Sequence, residues 1–215
     1  MIPLLPSAYL PPVSFFKVMA ENTETAIERF DTYHKQTYRN RCRIATAGGV
    51  QSLTVPVVKS ETQKQLMKDV RISEHGNWRH LHWNALASAY MNSPFFIYYE
   101  DDLRPFYEKR QTFLLDFNQE LTTKVLELVG LDVNLTLTDD FRPVNGDPAP
   151  DDYRCWADPD EHPMTEQQPY FQVFGQKFGF QPDLSIVDLL FNMGPESKSW
   201  IMHECTLMTK VSNCR

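Results

Sequence analysis

The sequence predicts an α/β fold: a mixed sheet with a βαβ start, flanking helices, and a long acidic, proline-rich loop near residues 140–169, in a single domain spanning residues 1–215. Three observations lead there. Apolar runs of strand length alternate with segments whose apolar residues recur at three- and four-residue steps. The apolar run at 2–5 is followed by Pro11 and Pro12, which suit a helix start, and then by a second strand-length run. Six prolines between Pro143 and Pro169 deny that stretch either regular pattern.

The elements read in order as follows. Residues 2–5 form a buried strand ended by Pro6, and a helix carries Phe15, Phe16 and Met19. A second strand covers Thr25 to Phe30. Arg39 to Thr46 and Gln51 to Val58 form a hairpin about Gly48-Gly49, with Pro56 marking an edge or a strand end. Trp78, Leu81, His82, Ala85, Leu86, Ala89 and Tyr90 mark a helix stopped at Asn92-Ser93-Pro94. Phe95 to Tyr99 reads as a strand ending in Glu100-Asp101-Asp102. One long helix then runs from Phe106 through Leu128 to Gly130, and Val133 to Leu137 alternates as another strand. Ser185 to Asp188 has capping-box spacing and opens a helix that stops at Gly194-Pro195; a last helix runs from Glu196 to about Met208.

Composition narrows the class. Of 215 residues, 42% are hydrophobic and 13% aromatic, enough apolar surface to exclude a disordered chain, while 8 Gly and 4 Cys exclude collagen-like and disulfide-framework classes. The net charge of −7 argues against nucleic acid as a partner, and most of it lies between Asp140 and Gln168. The opening residues lack a basic, apolar leader and no window holds 18 apolar residues, so neither export nor a membrane span is expected. The scattered Cys42, Cys155, Cys205 and Cys214 form no C-x-x-C pair; they read as reduced thiols in a cytoplasmic protein, with no metal site.

The sharpest local feature is the run His34-Lys35-Gln36-Thr37-Tyr38-Arg39-Asn40-Arg41-Cys42-Arg43, with four permanent cations and no acid. In an extended chain Arg39, Arg41 and Arg43 share one face. Guanidinium forks so placed repel one another unless an anion or carboxylates lie between them. An anion site for a phosphate or carboxylate is one reading; a solvated edge balanced by acids elsewhere, including 140–168, is the other. His75, His80 and His82 have the wrong spacing for two ligands on one helix face, and His82 falls on the apolar stripe as a structural histidine. Glu100-Asp101-Asp102 is accounted for by a helix start. Nucleotide-cradling glycine motifs, H-E-x-x-H and G-x-S-x-G are absent.

Three blocks resemble the WbqC-like protein family. Pro6-Ser7-Ala8-Tyr9-Leu10-Pro11-Pro12 is similar to its Q-P-x-Y-L-P opening. Tyr33 to Ile44, continued by Leu53-Thr54-Val55-Pro56-Val57, is similar to its K-[RQ]-[ST]-x-x-N-R-x-x-I and L-T-V-P-V. Leu184-Ser185-Ile186-Val187-Asp188-Leu189-Leu190-Phe191-Asn192-Met193-Gly194 is similar to its L-S-I-x-D-L-L-F-N-x-G ending. Two departures stand out: Leu5 precedes the first proline of the motif where many relatives carry Gln, and Glu28 and Asp31 replace a pair of adjacent aspartates.

The resemblance implies a cytoplasmic bacterial protein tied to O-antigen or other surface-polysaccharide (lipopolysaccharide) biosynthesis, with a transferase role putting an acyl or aminoacyl group on a nucleotide-linked amino sugar. It brings no settled catalytic residues. Joined to the cationic run, it gives an expected site. Lys35, Arg39 and Arg41 hold a small-molecule anionic substrate, Tyr9, Tyr38 and Asn40 orient it, and His34 or Glu28 acts as base. The alternative is a non-catalytic protein that binds a nucleotide-sugar or other anion and assists polysaccharide assembly. Cofactor and oligomeric state are left open.

Overall fold

The computed structural model describes residues 1–60, 64–143, 149–162 and 167–207, the side chains of 204–207 apart. It is a mixed α/β molecule built around a small parallel sheet. Strand β1 (Leu4–Pro6), helix α1 (Val13–Ala20) and strand β2 (Glu24–Glu28) form a βαβ unit, with Leu4 opposite Ala26 and Pro6 opposite Glu28. α1 is buried from Val13 to Met19, so its sequence has no polar face apart from Ser14 and Lys17. Pro12 occupies its cap position and offers no side-chain bond. The helix start is capped from afar: the Ser14 N–H donates to Asp183 Oδ1 at 3.0 Å, and the Val13 N–H to the Leu184 carbonyl at 3.1 Å.

The hairpin β3 (Arg41–Thr46) and β4 (Gly49–Thr54) is antiparallel and turns at Ala47-Gly48, one residue earlier than expected, with Gly49 already paired to Thr46. Cys42 and Ile44 face the core, whereas Arg41 and Arg43 are half-buried on the other side. The hairpin pairs with no strand of the parallel sheet, so the expected mixed sheet is two separate sheets. The reason lies in 29–40. That segment leaves β2 as a loop pinned to 65–68 through three backbone bonds, Tyr33 to Gln65, Met67 to Asp31 and Lys68 to Arg29, and it delivers β3 against helices instead.

Helices α2 (Trp78–Tyr90), α3 (Phe96–Leu103), α4 (Pro105–Glu108) and α5 (Leu114–Val129) follow. Two expectations fail here. Phe95 to Tyr99 is not a strand: it opens α3, which buries Phe96 and Leu103, seven residues apart, and turns Ile97 and Tyr98 to solvent. The long helix is broken between α4 and α5 because its chain is needed elsewhere. The Ile72 N–H donates to the Thr112 carbonyl at 2.9 Å, and the Leu114 N–H to the Val70 carbonyl at 2.9 Å, which holds 112–114 extended. α5 ends at Gly130 with φ +81°, a left-handed stop that suits glycine. β5 (Asn134–Leu137) then adds to β2 in parallel, giving the order β1-β2-β5 with β2 central.

Between Thr138 and Phe174 the described residues hold no strand or α-helix, only a single 3₁₀ turn at Arg154–Ala157. The described part is docked rather than free. Asp152 bridges to Leu4 at the sheet edge, and Tyr153 donates to the Leu4 carbonyl at 2.8 Å. Expectations for Asp147, Pro148, Pro163, Glu166 and Cys214, and for the Cys205 side chain, lie outside the described residues. Cys42 is a free, buried thiol, but Cys155 is disulfide-bonded, so the reading of four reduced thiols fails there.

The chain closes with α6 (Gly175–Phe178), α7 (Ile186–Met193) and α8 (Ser197–Leu207). The expected capping box at α7 does not form. The Ser185 hydroxyl has no partner among the described residues, and Asp188 turns inward to accept from the hydroxyls of Tyr90 and Tyr170 and from Gln172 at 2.8, 2.7 and 2.8 Å. Burial raises the Asp188 carboxyl above its ordinary range despite these donors.

Candidate functional site

Ligands of parallel α/β sheets sit beyond the carboxyl ends of the strands. Here β2 ends at Glu28 and β5 at Leu137, and just past those ends lies a pocket of about 310 Å³. Its walls are Asp31, His34 and Arg39 from the β2–β3 loop, Phe141 after β5, and Arg154, Cys155, Asp158 and Glu161 from the docked loop.

Each wall is set by bonds that can be followed. Arg39 is buried and ion-paired with Asp31, whose other oxygen accepts the Thr32 N–H. The Arg39 carbonyl accepts from Asn118 Nδ2 on α5 at 2.8 Å, and the same amide nitrogen reaches Ser7 at 3.0 Å. Arg154 grips Asp152 with Nε and Nη2, at 2.9 and 2.6 Å, and reaches Glu28 with Nη1 at 3.5 Å. Arg154 is buried, yet the carboxylates of Asp152, Glu28 and Asp31 outweigh that desolvation and keep its guanidinium more firmly protonated than usual. Farther out, Arg142 holds Asp151 through Nη1 and Nη2 at 3.1 and 2.9 Å.

The predicted residues divide. His34 and Arg39 line this pocket, and Lys35 is exposed on the same loop. Glu28 stands behind it, fully buried; it accepts from the Thr138 hydroxyl at 2.8 Å and the Phe30 N–H at 2.9 Å as well as from Arg154. Arg41 lies on the hairpin with Nε on the Thr54 hydroxyl at 3.0 Å. Arg39 precedes β3, so the three arginines do not share one strand face.

Tyr9, Tyr38 and Asn40 are buried. The Asn40 amide donates to the Val55 carbonyl at 2.9 Å, and Tyr38 packs edge-on against Phe15 and His162. The Tyr9 hydroxyl meets the Tyr107 hydroxyl at 2.8 Å and His82 Nδ1 at 3.0 Å. Burial pushes the His82 pKa down to about 4, and the ring stays neutral as a structural group.

Sequence reasoning missed Asp31, Arg154, Asp158, Glu161 and Asn118. Asp158, Glu161 and Arg154 all lie in the stretch from Asp140 to Gln168, whose visible property is its net negative charge. The available signal was the alternation of Asp152 and Arg154, two cross-bondable charges in a segment with no helical or strand pattern. It also missed a second cluster. Asp183, in left-handed backbone at φ +51°, accepts from Ser14 and Gln167 and is in hydrogen-bond contact with His162 Nε2. Burial opposes the Asp183 charge, yet His162 and Ser14 hold its carboxyl below the usual range. The Ser14 hydroxyl also lies 2.9 Å from His162 Nε2. Both partners meet the same ring nitrogen and the cluster is buried, so it ties the docked loop to α1.

Among the described residues no group of three or more His, Cys, Asp and Glu side chains is placed to hold a metal ion, and no helix is long and apolar enough to cross a membrane.

A small parallel sheet with a charged pocket beyond its carboxyl end defines a mixed α/β protein whose pocket lies where ligands of such sheets sit. The chain belongs to the WbqC-like protein family, whose pattern matches residues 7–150. That span contains the cationic run and all of the pocket except its docked-loop wall. The chain is also similar to the protein named Uncharacterized protein Rv1507c from Mycobacterium tuberculosis (strain ATCC 25618 / H37Rv), at 28% identity over 231 aligned positions covering 94% of this chain and 97% of that one. No solved structure matches it.

Proposed function

We propose that the protein is a cytoplasmic transferase of surface-polysaccharide (O-antigen) biosynthesis that acylates a nucleotide-linked amino sugar in the pocket at the carboxyl ends of β2 and β5. One observation supports this reading above the rest: Arg39, Arg154 and His34 share that pocket with Asp31, Asp158 and Glu161. Such a wall suits a substrate with both signs of polarity. The carboxylates receive the amine and hydroxyls of an amino sugar, and Arg39, with Lys35 at the rim, receives its anionic end. Only Nη2 of Arg39 has a hydrogen bond among the described residues, which leaves further donors on the fork.

His34 is exposed and serves as base. It takes a proton from the sugar amine as the nitrogen bonds to the acyl carbonyl carbon, then passes that proton to the departing group as the old acyl bond breaks. Glu28 positions Arg154. Tyr38 and Asn40 hold the loop that carries His34 and Arg39, and Tyr9 anchors that loop through its N–H on the Tyr38 carbonyl, 2.9 Å away.

The test is the composition of the cell-surface glycan in cells carrying wild type or His34→Ala, with the fold of the variant checked by circular dichroism. Loss of the acyl or aminoacyl substituent is expected. An unchanged glycan with the variant folded overturns the transfer step and leaves the second reading, a binding protein of polysaccharide assembly. One observation favours that second reading: Cys155, in the pocket wall, is disulfide-bonded and so offers no thiolate nucleophile.

A further inference from the structure

We infer that a second pocket, at the start of α2 and apart from the one above, binds the phosphate group of a nucleotide-like ligand. It measures about 400 Å³, and among its walls are Arg79, Arg104, Arg110, Glu74, Trp78 and Trp83. Three guanidinium groups stand there against the carboxylates of Glu74 and Glu108.

Arg79 carries the inference. It is 8% exposed, and its Nη1 donates to Glu74 at 2.6 Å, but Nε and Nη2 are buried with no partner among the described residues. A buried guanidinium with donors left over is costly unless an acceptor reaches it. The fork is held in place by stacking, 4.6 Å from the centre of the Trp78 ring. It also stands in the first turn of a 13-residue helix that no side chain caps, where the helix dipole favours negative charge.

The neighbours complete an anion cradle. Glu74 Oε2 is shared between Arg79 and Arg110, at 2.6 and 3.6 Å, so one carboxylate serves two cations. Arg110 is largely exposed and free to fold over a ligand. Arg104, also in the lining, is paired with Glu108 at 2.8 Å. Planar forks of this kind match the oxygens of a phosphate group two at a time. The aromatic side of the pocket selects what the phosphate is attached to. Trp83 is half-buried and packs on Tyr107 and Phe96 at ring distances of 5.7 and 6.0 Å, which leaves a rigid indole at the wall for a planar base to stack on.

Calorimetric titration with inorganic phosphate and with uridine diphosphate tests this on the full chain, comparing wild type, Arg110→Ala, Arg79→Lys and Arg39→Ala. Arg110→Ala removes an exposed side chain and leaves the fold intact; Arg79→Lys keeps the charge but loses the fork. Both probes bind wild type, the nucleotide about tenfold more tightly, and each of the two pocket variants weakens both by about tenfold or more. Inorganic phosphate binds Arg39→Ala as it binds wild type, which separates this site from the one under Proposed function. Failure of both probes to bind at about 10 mM, or wild-type affinity in Arg110→Ala, overturns the site. Equal affinity for the two probes overturns its aromatic half.

Discussion

Arg39 is ion-paired with Asp31, eight residues before it, and not held within the arginine-rich run that follows it. That pairing changes what the cationic run is. Its most buried member leaves the hairpin and becomes the wall of a pocket, while Arg41 and Arg43 stay on the hairpin face.

The pair should be coupled in stability. Arg39 is buried and Asp31 mostly so, and removing one partner strands the other. A double-mutant cycle of Arg39→Ala and Asp31→Ala in urea unfolding is expected to give a coupling energy of about 2 kcal/mol. A coupling below about 0.5 kcal/mol, the ordinary value for an exposed pair, would show that the contact is incidental.

His82 makes stability depend on acid. Its pKa in the fold is about 4 against an ordinary 6.5, so between those values the unfolded chain takes up a proton that the folded chain refuses. The contribution is complete above pH 6.5 and is lost as the pH falls through about 4. The full shift amounts to roughly 3 kcal/mol. His82→Gln should flatten the fall in unfolding free energy over this window. A slope equal to that of wild type would contradict the neutral, buried imidazole.

Asp188→Asn should destabilise the protein by about 2–4 kcal/mol. Three donors point at the two carboxylate oxygens, and an amide nitrogen in place of either oxygen faces a donor with a donor. Thermal unfolding reads the loss directly; a melting temperature within a degree or so of wild type would mean that the buried network adapts.

Gly194→Ala tests the stop of α7. The backbone there has φ +54°, and an added methyl group would lie 2.5 Å from the Phe95 ring. A loss of about 2 kcal/mol or more is expected in denaturant unfolding. Wild-type stability would show that Phe95 can swing away at little cost.

The parts of the fold legible in the sequence were those fixed by local chemistry. Pro6 ends β1, Pro11 and Pro12 precede α1, the glycine pair marks the hairpin to within one residue of its Ala47-Gly48 turn, and Gly130 ends α5 with a left-handed residue. What was not legible depends on distant partners. Phe95 to Tyr99 has the β-favouring aromatics of a strand, yet the core accepts only one side of it, and burial of Phe96 and Leu103 selects a helix. The break before α5 is imposed by backbone bonds to 70–72, which no local pattern encodes. Ser185 and Asp188 have capping-box spacing, but Tyr90 and Tyr170 claim the carboxylate.

The candidate site follows the same division. His34 and Arg39 stood out as charge on a short run, whereas Arg154 comes from a segment whose visible property was acidity. Tyr9 is expected to orient the substrate; its hydroxyl is instead engaged with Tyr107 and His82 in the core.

The most direct measurement is calorimetric titration of a nucleotide diphosphate sugar into wild type, Arg39→Lys and Arg110→Ala, each confirmed folded by circular dichroism. If the pocket beyond β2 and β5 grips the substrate through the Arg39 fork, Arg39→Lys weakens binding by about tenfold or more. Affinity equal to wild type in Arg39→Lys would contradict the account.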